Sequence, residues 1–384
     1  MLTSVAPVAL VVPTQAEVQL FTQALAECGF RRVVAFTSGK EAYEVASRQQ
    51  FQVFVTRMEL PDLTGIVLIQ KLRVTGNYGL EPHLFVCDKL DSRLLGVVAE
   101  FDLDYVLVPP LTKPAIVQKF KHLVATENQL SPLEVRYRDG KAALAQGMLD
   151  MAEELALGVV EESPKLEKAV LLLGDVLAKR GDVAKAGEAF QRALKINPTS
   201  ATAAHKLAQV LMSQGDHKSA AQMLDRLAAV SPYNIKLLEN AGLSNFNLKR
   251  YDQAKAHMAK LGNLDESNKT ASLVTAQIKI ETGDYDGLVE TLAKSHTEQE
   301  LIRFLNNAGA KLSQGNDVEG ALRMYKAAAE QIKSSKFLYA IHYNMGIAYK
   351  RLGKAKQARS HFEHSLRLKP DFDKATQALA DLAA

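Results

Sequence analysis

Cysteine is scarce: the 384 residues hold two, Cys28 and Cys87. Two thiols in that length make neither a disulfide framework nor a zinc site, and they fit a reducing cytoplasm. Long apolar runs are absent. The opening MLTSVAPVALVV has no basic n-region, and its apolar stretch is too short for a signal peptide or a membrane span. It reads as a buried strand. Low-complexity tracts and long runs of one charge sign are missing too. The net charge is +4. Lys/Arg and Asp/Glu balance over residues 1–125, so the excess lies in the rest of the chain. A weak, spread excess is not the concentrated basic stripe that nucleic-acid binding needs, so neither nucleic acid nor membrane is an expected partner. What remains is a soluble globular composition, 47% apolar and 23% charged, long enough for two or three domains.

Catalytic constellations are lacking as well. Gly174, Gly181 and Gly187 are not followed by the Lys-Ser/Thr of a phosphate loop. His361 and His364 stand three apart on one predicted helix face, but two ligands do not make a metal site. No enzyme activity, cofactor or metal is expected.

Residues 1–125 alternate strand and helix. The apolar, β-branched runs Val8–Val12, Val33–Phe36, Phe51–Val55, His83–Val86 and Tyr105–Val108 predict strands. Between and after them Glu17–Cys28, Ser38–Gln49, Ile66–Val74, Leu94–Glu100 and Lys113–Thr126 predict helices, with Gly29 ending the first and Ser38 capping the second. Short links between alternating elements give a doubly wound α/β domain with a parallel sheet.

The order and spacing resemble the receiver domain of response regulators, a flavodoxin-like α/β fold. The most specific stretch is VFVTRMELPDLTG, residues 53–65. In that family an apolar strand leads to a phosphoacceptor Asp, then Pro four residues later and Gly eight later. Pro61 and Gly65 are in place, but Arg57 holds the acceptor position. The family's acidic, Mg²⁺-holding pair falls on Pro13 and Thr14. Its phosphate-reading Thr/Ser falls on Cys87, and its Lys on Pro109, followed by Pro110. Phosphorylation needs a carboxylate nucleophile, and Mg²⁺ needs hard oxygen ligands. The resemblance therefore implies a pseudo-receiver that takes no phosphate. Arg57 has three readings. It fills the vacated pocket by pairing with Glu59 or Asp88; it stands in for the metal's charge and fixes one conformation; or it binds a small anion or nucleotide at the strand ends. If the alignment is off by a residue, Glu59 or Asp62 becomes the acceptor and the chain a phosphate-responsive regulator.

Residues 126–166 form a joint. ATENQLSPLEVRYRDG is polar and contains Pro132, and Leu144, Met148, Met151, Leu155 and Val159 then predict one helix over Lys141–Val160. The better expectation is an irregular cap for the repeats beyond it, ahead of a rigid spacer or a dimerising helix.

Residues 167–384 repeat. Near the end, Gly346, Tyr349, Ala358, Phe362 and Pro370 stand at the offsets of the tetratricopeptide repeat, with Gly353 at the turn and His342 in place of the family's early Trp. Five earlier copies are marked by Gly174, Ala208, Gly242, Ala276 and Gly309. A closing helix, Asp373–Leu382, covers the last, as an all-α solenoid requires. The resemblance implies a concave groove that holds a partner segment. Carried onto this sequence, the groove positions are His205, Gln209, Met212, Glu239, Leu243, Phe246, Leu273, Gln277, Ile280, Arg303, Asn306, Tyr343, Ile347 and Lys350. The several Lys, Arg and Asn of the family's carboxylate clamp are not gathered among them, which suits an apolar partner segment with some acidic residues.

The whole resembles response regulators that join a receiver to a tetratricopeptide domain. The expected function is a cytoplasmic, non-enzymatic signalling adaptor of a bacterial two-component pathway. It would bind a partner protein in the groove, with the pseudo-receiver as a second surface for a histidine kinase, a true receiver or another copy of the chain. A sensor of an anion or nucleotide near Arg57 is the alternative from another class.

Overall fold

The computed structural model describes residues 2–332 and 335–383. The chain divides into two compact units, Met1–Leu248 and Lys249–Ala384.

The first unit begins with β1 (Val8–Val11), α1 (Gln15–Glu27), β2 (Val33–Phe36), α2 (Gly39–Ala46), β3 (Val53–Arg57), α3 (Gly65–Val74), β4 (His83–Val86), α4 (Ser92–Glu100), β5 (Tyr105–Leu107) and α5 (Lys113–Glu127). All pairings are parallel, in the order β2-β1-β3-β4-β5, a doubly wound arrangement. The strand period of two divides the core. Val8 and Leu10 pack with Phe21, Ile116 and Phe120 on one face. Ala9 and Val11 pack with Phe54, Leu68 and Leu72 on the other. Thr14, Ser38, Thr64, Asp91 and Thr112 each cap a helix by accepting a backbone N–H three residues on. β3 starts and ends two residues later than expected. Phe51 lies outside it, its N–H donated to the Tyr78 hydroxyl at 3.3 Å. Arg57 is the last residue of the strand, opposite Val86.

The joint differs from expectation. Its polar stretch is helical: α6 (Pro132–Ala145) starts at the Ser131 cap with Pro132 in its first turn, and α7 (Leu149–Glu162) comes next. Gly147, at φ 76°, turns the chain between them. The predicted single helix runs across this turn because Leu144 and Met148 keep the helical spacing through it. The composition misleads because α6 buries little, chiefly Tyr137, Gly140 and Ala143. Gly140, Gly147, Ala152 and Pro164 each stand one repeat period before Gly174, Gly181, Ala186 and Pro198. The joint is thus a further helix pair in register with the array.

The pairs continue with α8 (Glu167–Arg180) and α9 (Val183–Ile196), α10 (Ala201–Ser213) and α11 (His217–Val230), and α12 (Ile235–Asn247). A Cβ on Gly174 would lie 2.4 Å from the Phe190 ring. The missing side chain is what lets α8 and α9 cross with that ring between them. The α/β layer and the helix pairs of this unit are tied together. Gln70 of α3 donates to the Tyr233 carbonyl at 2.7 Å and accepts the Ile235 N–H at 2.9 Å. Glu100, at the end of α4, accepts from Ser231 Oγ and Asn234 Nδ2. Tyr233 itself packs against the cluster of Met58, Ile66, Phe85 and Val97.

The second unit comprises α13 (Tyr251–Leu264), α14 (Lys269–Glu281), the short α15 (Leu288–Ala293), α16 (Glu298–Gln314), α17 (Val318–Gln331), α18 (Ser335–Arg351), α19 (Ala355–Leu368) and α20 (Asp373–Ala383). One core runs through it, including Ala276, Leu292, Leu305, Tyr325, Phe362 and Ala378. Gly309 admits the Tyr325 ring and Gly346 the Phe362 ring, the nearest ring carbons lying 2.2 and 2.4 Å from an added Cβ. α20 contributes Ala378 and so covers the last pair. Among the described residues no helix is long and apolar enough to cross a membrane.

Candidate functional site

Function is expected in two places, the strand ends and the repeat surface. At the strand ends Arg57 emerges from β3 beside β4. Its guanidinium is largely buried and pairs with Asp88 at 2.6 Å and with Glu17 at 3.6 Å. Asp88 is an expected partner; Glu17, from α1, is not, and Glu59 is exposed. Nε and Nη1 of Arg57 and Oε2 of Glu17 are enclosed without hydrogen bonds. Two carboxylates already face this one cation, so the local field does not favour a further anion.

The neighbouring positions have structural work. Thr14 caps α1, its Oγ1 accepting the Glu17 N–H at 3.2 Å. Pro13 is half-buried and Pro109 is exposed in a cis peptide to Pro110. Cys87 is buried and its thiol pKa is raised, chiefly by desolvation; Cys28 is shifted the same way for the same reason. Neither thiol is poised as a thiolate. Asp62 is engaged at the start of α2, accepting from Ser38 Oγ at 2.6 Å and from the Gly39 and Lys40 N–H groups at 2.8 Å. Desolvation raises its pKa, but those hydrogen bonds together outweigh it and leave a net lowering. An acid held that way is a helix cap rather than a free nucleophile.

On the repeats, the expected groove residues separate by burial. His205 is buried between α10 and α12, its Nε2 accepting from Asn240 at 3.0 Å with Gln209 Nε2 at 3.5 Å. Burial takes its pKa down to about 3. Ile280 lies in the core of the second unit, with Leu273 and Ile347 packed against it. Tyr343 packs between Phe362, tilted to it at a centroid distance of 5.8 Å, and Phe372, edge-on to it at 5.1 Å. Met212, Glu239, Leu243 and Phe246 are half-buried. Asn306 accepts from Asn344 at 2.6 Å. Gln277, Arg303 and Lys350 are exposed, Lys350 being 3.7 Å from Asp381 of α20. Several groove positions are thus packing positions, because neighbouring pairs in an array bury part of the face that each would offer alone.

His361 and His364, the half-site of the sequence, both stack on His342, at centroid distances of 5.4 and 4.0 Å. Among the described residues no group of three His, Cys, Asp or Glu is arranged to hold a metal ion.

Residues 119–272 match the family model "Cytochrome c-type biogenesis protein H TPR domain", and residues 339–372 match "Tetratricopeptide repeat". The chain contains tetratricopeptide repeats. The first match takes in α6 and α7, where the sequence suggests a polar linker and a single capping helix. The BBSome complex member BBS4 of Xenopus tropicalis is 25% identical over 129 residues, 34% of this chain and 25% of that protein. The matched segments amount to less than a third of the curated relatives' lengths. A tetratricopeptide repeat protein from Parabacteroides merdae covers 66% of this chain and 99% of its own, at 15% identity and a TM-score of 0.41. The chemotaxis protein CheY4 of Vibrio cholerae covers 31% and 98%, at 19% identity and a TM-score of 0.29.

Proposed function

We propose that this chain is a non-enzymatic scaffold of bacterial two-component signalling that binds a partner protein through its tetratricopeptide repeats. The α/β domain is its receiver-like second surface and takes no phosphate. The repeats carry the reading, because stacked helix pairs hold their own core and leave the exposed side chains of each pair free for recognition. In the second unit those side chains include Gln277, Arg303 and Lys350. A partner segment with acidic side chains suits them. The receiver-like part rests on the β2-β1-β3-β4-β5 order, on Pro61 and Gly65 after β3, and on Arg57 closing that strand. With Arg57 ion-paired at the acceptor position and Asp62 capping α2, neither position supplies a free carboxylate for phosphoryl transfer. The second surface would meet a histidine kinase, a receiver or another copy of the chain in the cytoplasm.

A pull-down from the native cell tests the scaffold. The baits are the whole chain and the same chain carrying Gln277→Glu and Arg303→Glu. Both positions are exposed, so the variant keeps its fold, whereas changes at Tyr343 or Ile280 would disturb the core. Clients lost from the variant are the expected result. Recovery of the same proteins by both baits moves binding away from this surface. Incubation with acetyl phosphate, read by intact mass, tests the α/β domain; an added phosphate overturns that part of the reading.

A further inference from the structure

Where the α/β layer meets the helix pairs of the first unit lies a cavity of about 290 Å³. Arg73 of α3 and Glu100 of α4 line it on one side, with Lys141 of α6, Asp175 of α8 and Lys206 of α10 on the other. We propose that this cavity is a binding site for a small oxyanion metabolite, carrying a phosphate or carboxylate group that Arg73 holds.

The carboxylates that line the cavity are already engaged. Asp102 is 3.3 Å from Lys141, and Asp175 is 2.5 Å from Lys206. Glu100 is held by Ser231 and Asn234, and Glu167 by Asn197. Lys168, also at the wall, is paired with Glu134. Each acid therefore has its own partner, and none of these pairs uses Arg73. The Arg73 Nε is enclosed with no hydrogen bond. Desolvation lowers its pKa, and Asp102 and Glu81 oppose this only through space. An enclosed guanidinium nitrogen with no hydrogen-bond acceptor is destabilising, and the two carboxylates act on Arg73 only at a distance. Arginine is also the side chain best shaped to grip a planar or tetrahedral oxyanion with two parallel hydrogen bonds. Lys141, whose pKa is lowered chiefly by burial, stands at the same wall and adds a second positive charge.

Size narrows the class. Ligand pockets commonly run from about 300 to 1,000 Å³, so this one sits at the small end. It suits a phosphate or a short carboxylic acid, not a nucleotide. The site is separate from the strand ends at Arg57. A ligand here would touch the α/β domain and the helix pairs together, and would stabilise their joint by mass action.

The test uses the full chain in a thermal-shift titration with sodium phosphate and with sodium citrate. Sodium chloride at matched ionic strength is the reference. A saturable rise in Tm with one of the anions, weakened about ten-fold or more by Arg73→Gln and unaffected by Arg57→Gln, is expected; about ten-fold corresponds to loss of one good contact. Which anion acts tells phosphate from carboxylate chemistry. If neither anion exceeds chloride, or if Arg73→Gln responds as the unaltered chain does, the proposal is overturned. Circular dichroism checks that Arg73→Gln folds. Should it not, Lys141→Gln takes its place with the same two outcomes.

Discussion

At the scale of single residues, the recurring event is a glycine facing an aromatic ring. Gly174 faces Phe190, Gly309 faces Tyr325 and Gly346 faces Phe362, each too close to admit a Cβ. The ring fills the space that the glycine leaves, so the two positions are coupled. Phe362 is fully buried and has no room to retreat. Gly346→Ala is therefore expected to destabilise the second unit by about 1–3 kcal/mol, the usual range for overpacking. Adding Phe362→Leu should recover part of that loss, because the smaller side chain gives the new methyl group space. Chemical denaturation of the two single variants and the double variant measures the coupling. Simple additivity would show that the pair does not act as a unit.

At the scale of elements, the loop from α11 to α12 matters most in the first unit. It presents Ser231, Tyr233, Asn234 and the Ile235 N–H to α3 and α4. Gln70 satisfies two of those backbone groups at once, donating with its amide nitrogen and accepting with its oxygen. Gln70→Ala leaves the half-buried Ile235 N–H and Tyr233 carbonyl without this partner, at a cost of about 1–3 kcal/mol for each group that water cannot reach. The expected signature is faster amide hydrogen exchange at residues 233–237, with α8 and α9 unchanged. Unchanged exchange at those residues would mean that the joint does not depend on this contact. None of this is legible in the sequence, because a glutamine inside an apolar helix pattern carries no mark of a partner more than a hundred residues away. Local signals fare better. Ser38 and Gly29 set helix ends where expected, and the strand runs form the parallel sheet. The joint is obscure for a local reason: α6 buries too few apolar side chains to show a stripe. Yet Gly140, Gly147, Ala152 and Pro164 stand in repeat register, and sliding the template back one more period finds the pair. At the candidate sites, repeat register alone places His205, Ile280 and Tyr343 on their helices. It does not say which neighbours cover them, since that depends on how adjacent pairs stack.

At the scale of the whole molecule, two buried imidazoles, His83 and His205, and the half-buried His342 link stability to pH. His83 lies in the sheet, stacked on Phe54 at 4.8 Å; His205 lies between α10 and α12; His342 lies in the last helix pair. Burial is the first cause of the shift in each, carrying the pKa down to about 3 for His83 and His205 and to about 4 for His342. Arg73 adds to the effect at His83, Lys206 and Lys236 at His205, and His364, His361 and Arg367 at His342. An unfolded histidine takes up its proton near pH 6.5. Between that value and the folded pKa the unfolded chain binds more protons, so stability falls as the pH falls. The stabilisation is whole above about pH 6.5 and is lost progressively on the way down to the folded values. His83 and His205 would each contribute a slope of about 1.4 kcal/mol per pH unit in that window. Melting temperature should therefore drop clearly between pH 7 and pH 5, and His205→Gln should drop less than the unaltered chain while keeping a side chain that can accept from Asn240. A melting temperature that is flat across that interval would mean that these imidazoles reach water, and that the pairs around His205 open far more readily than their packing implies.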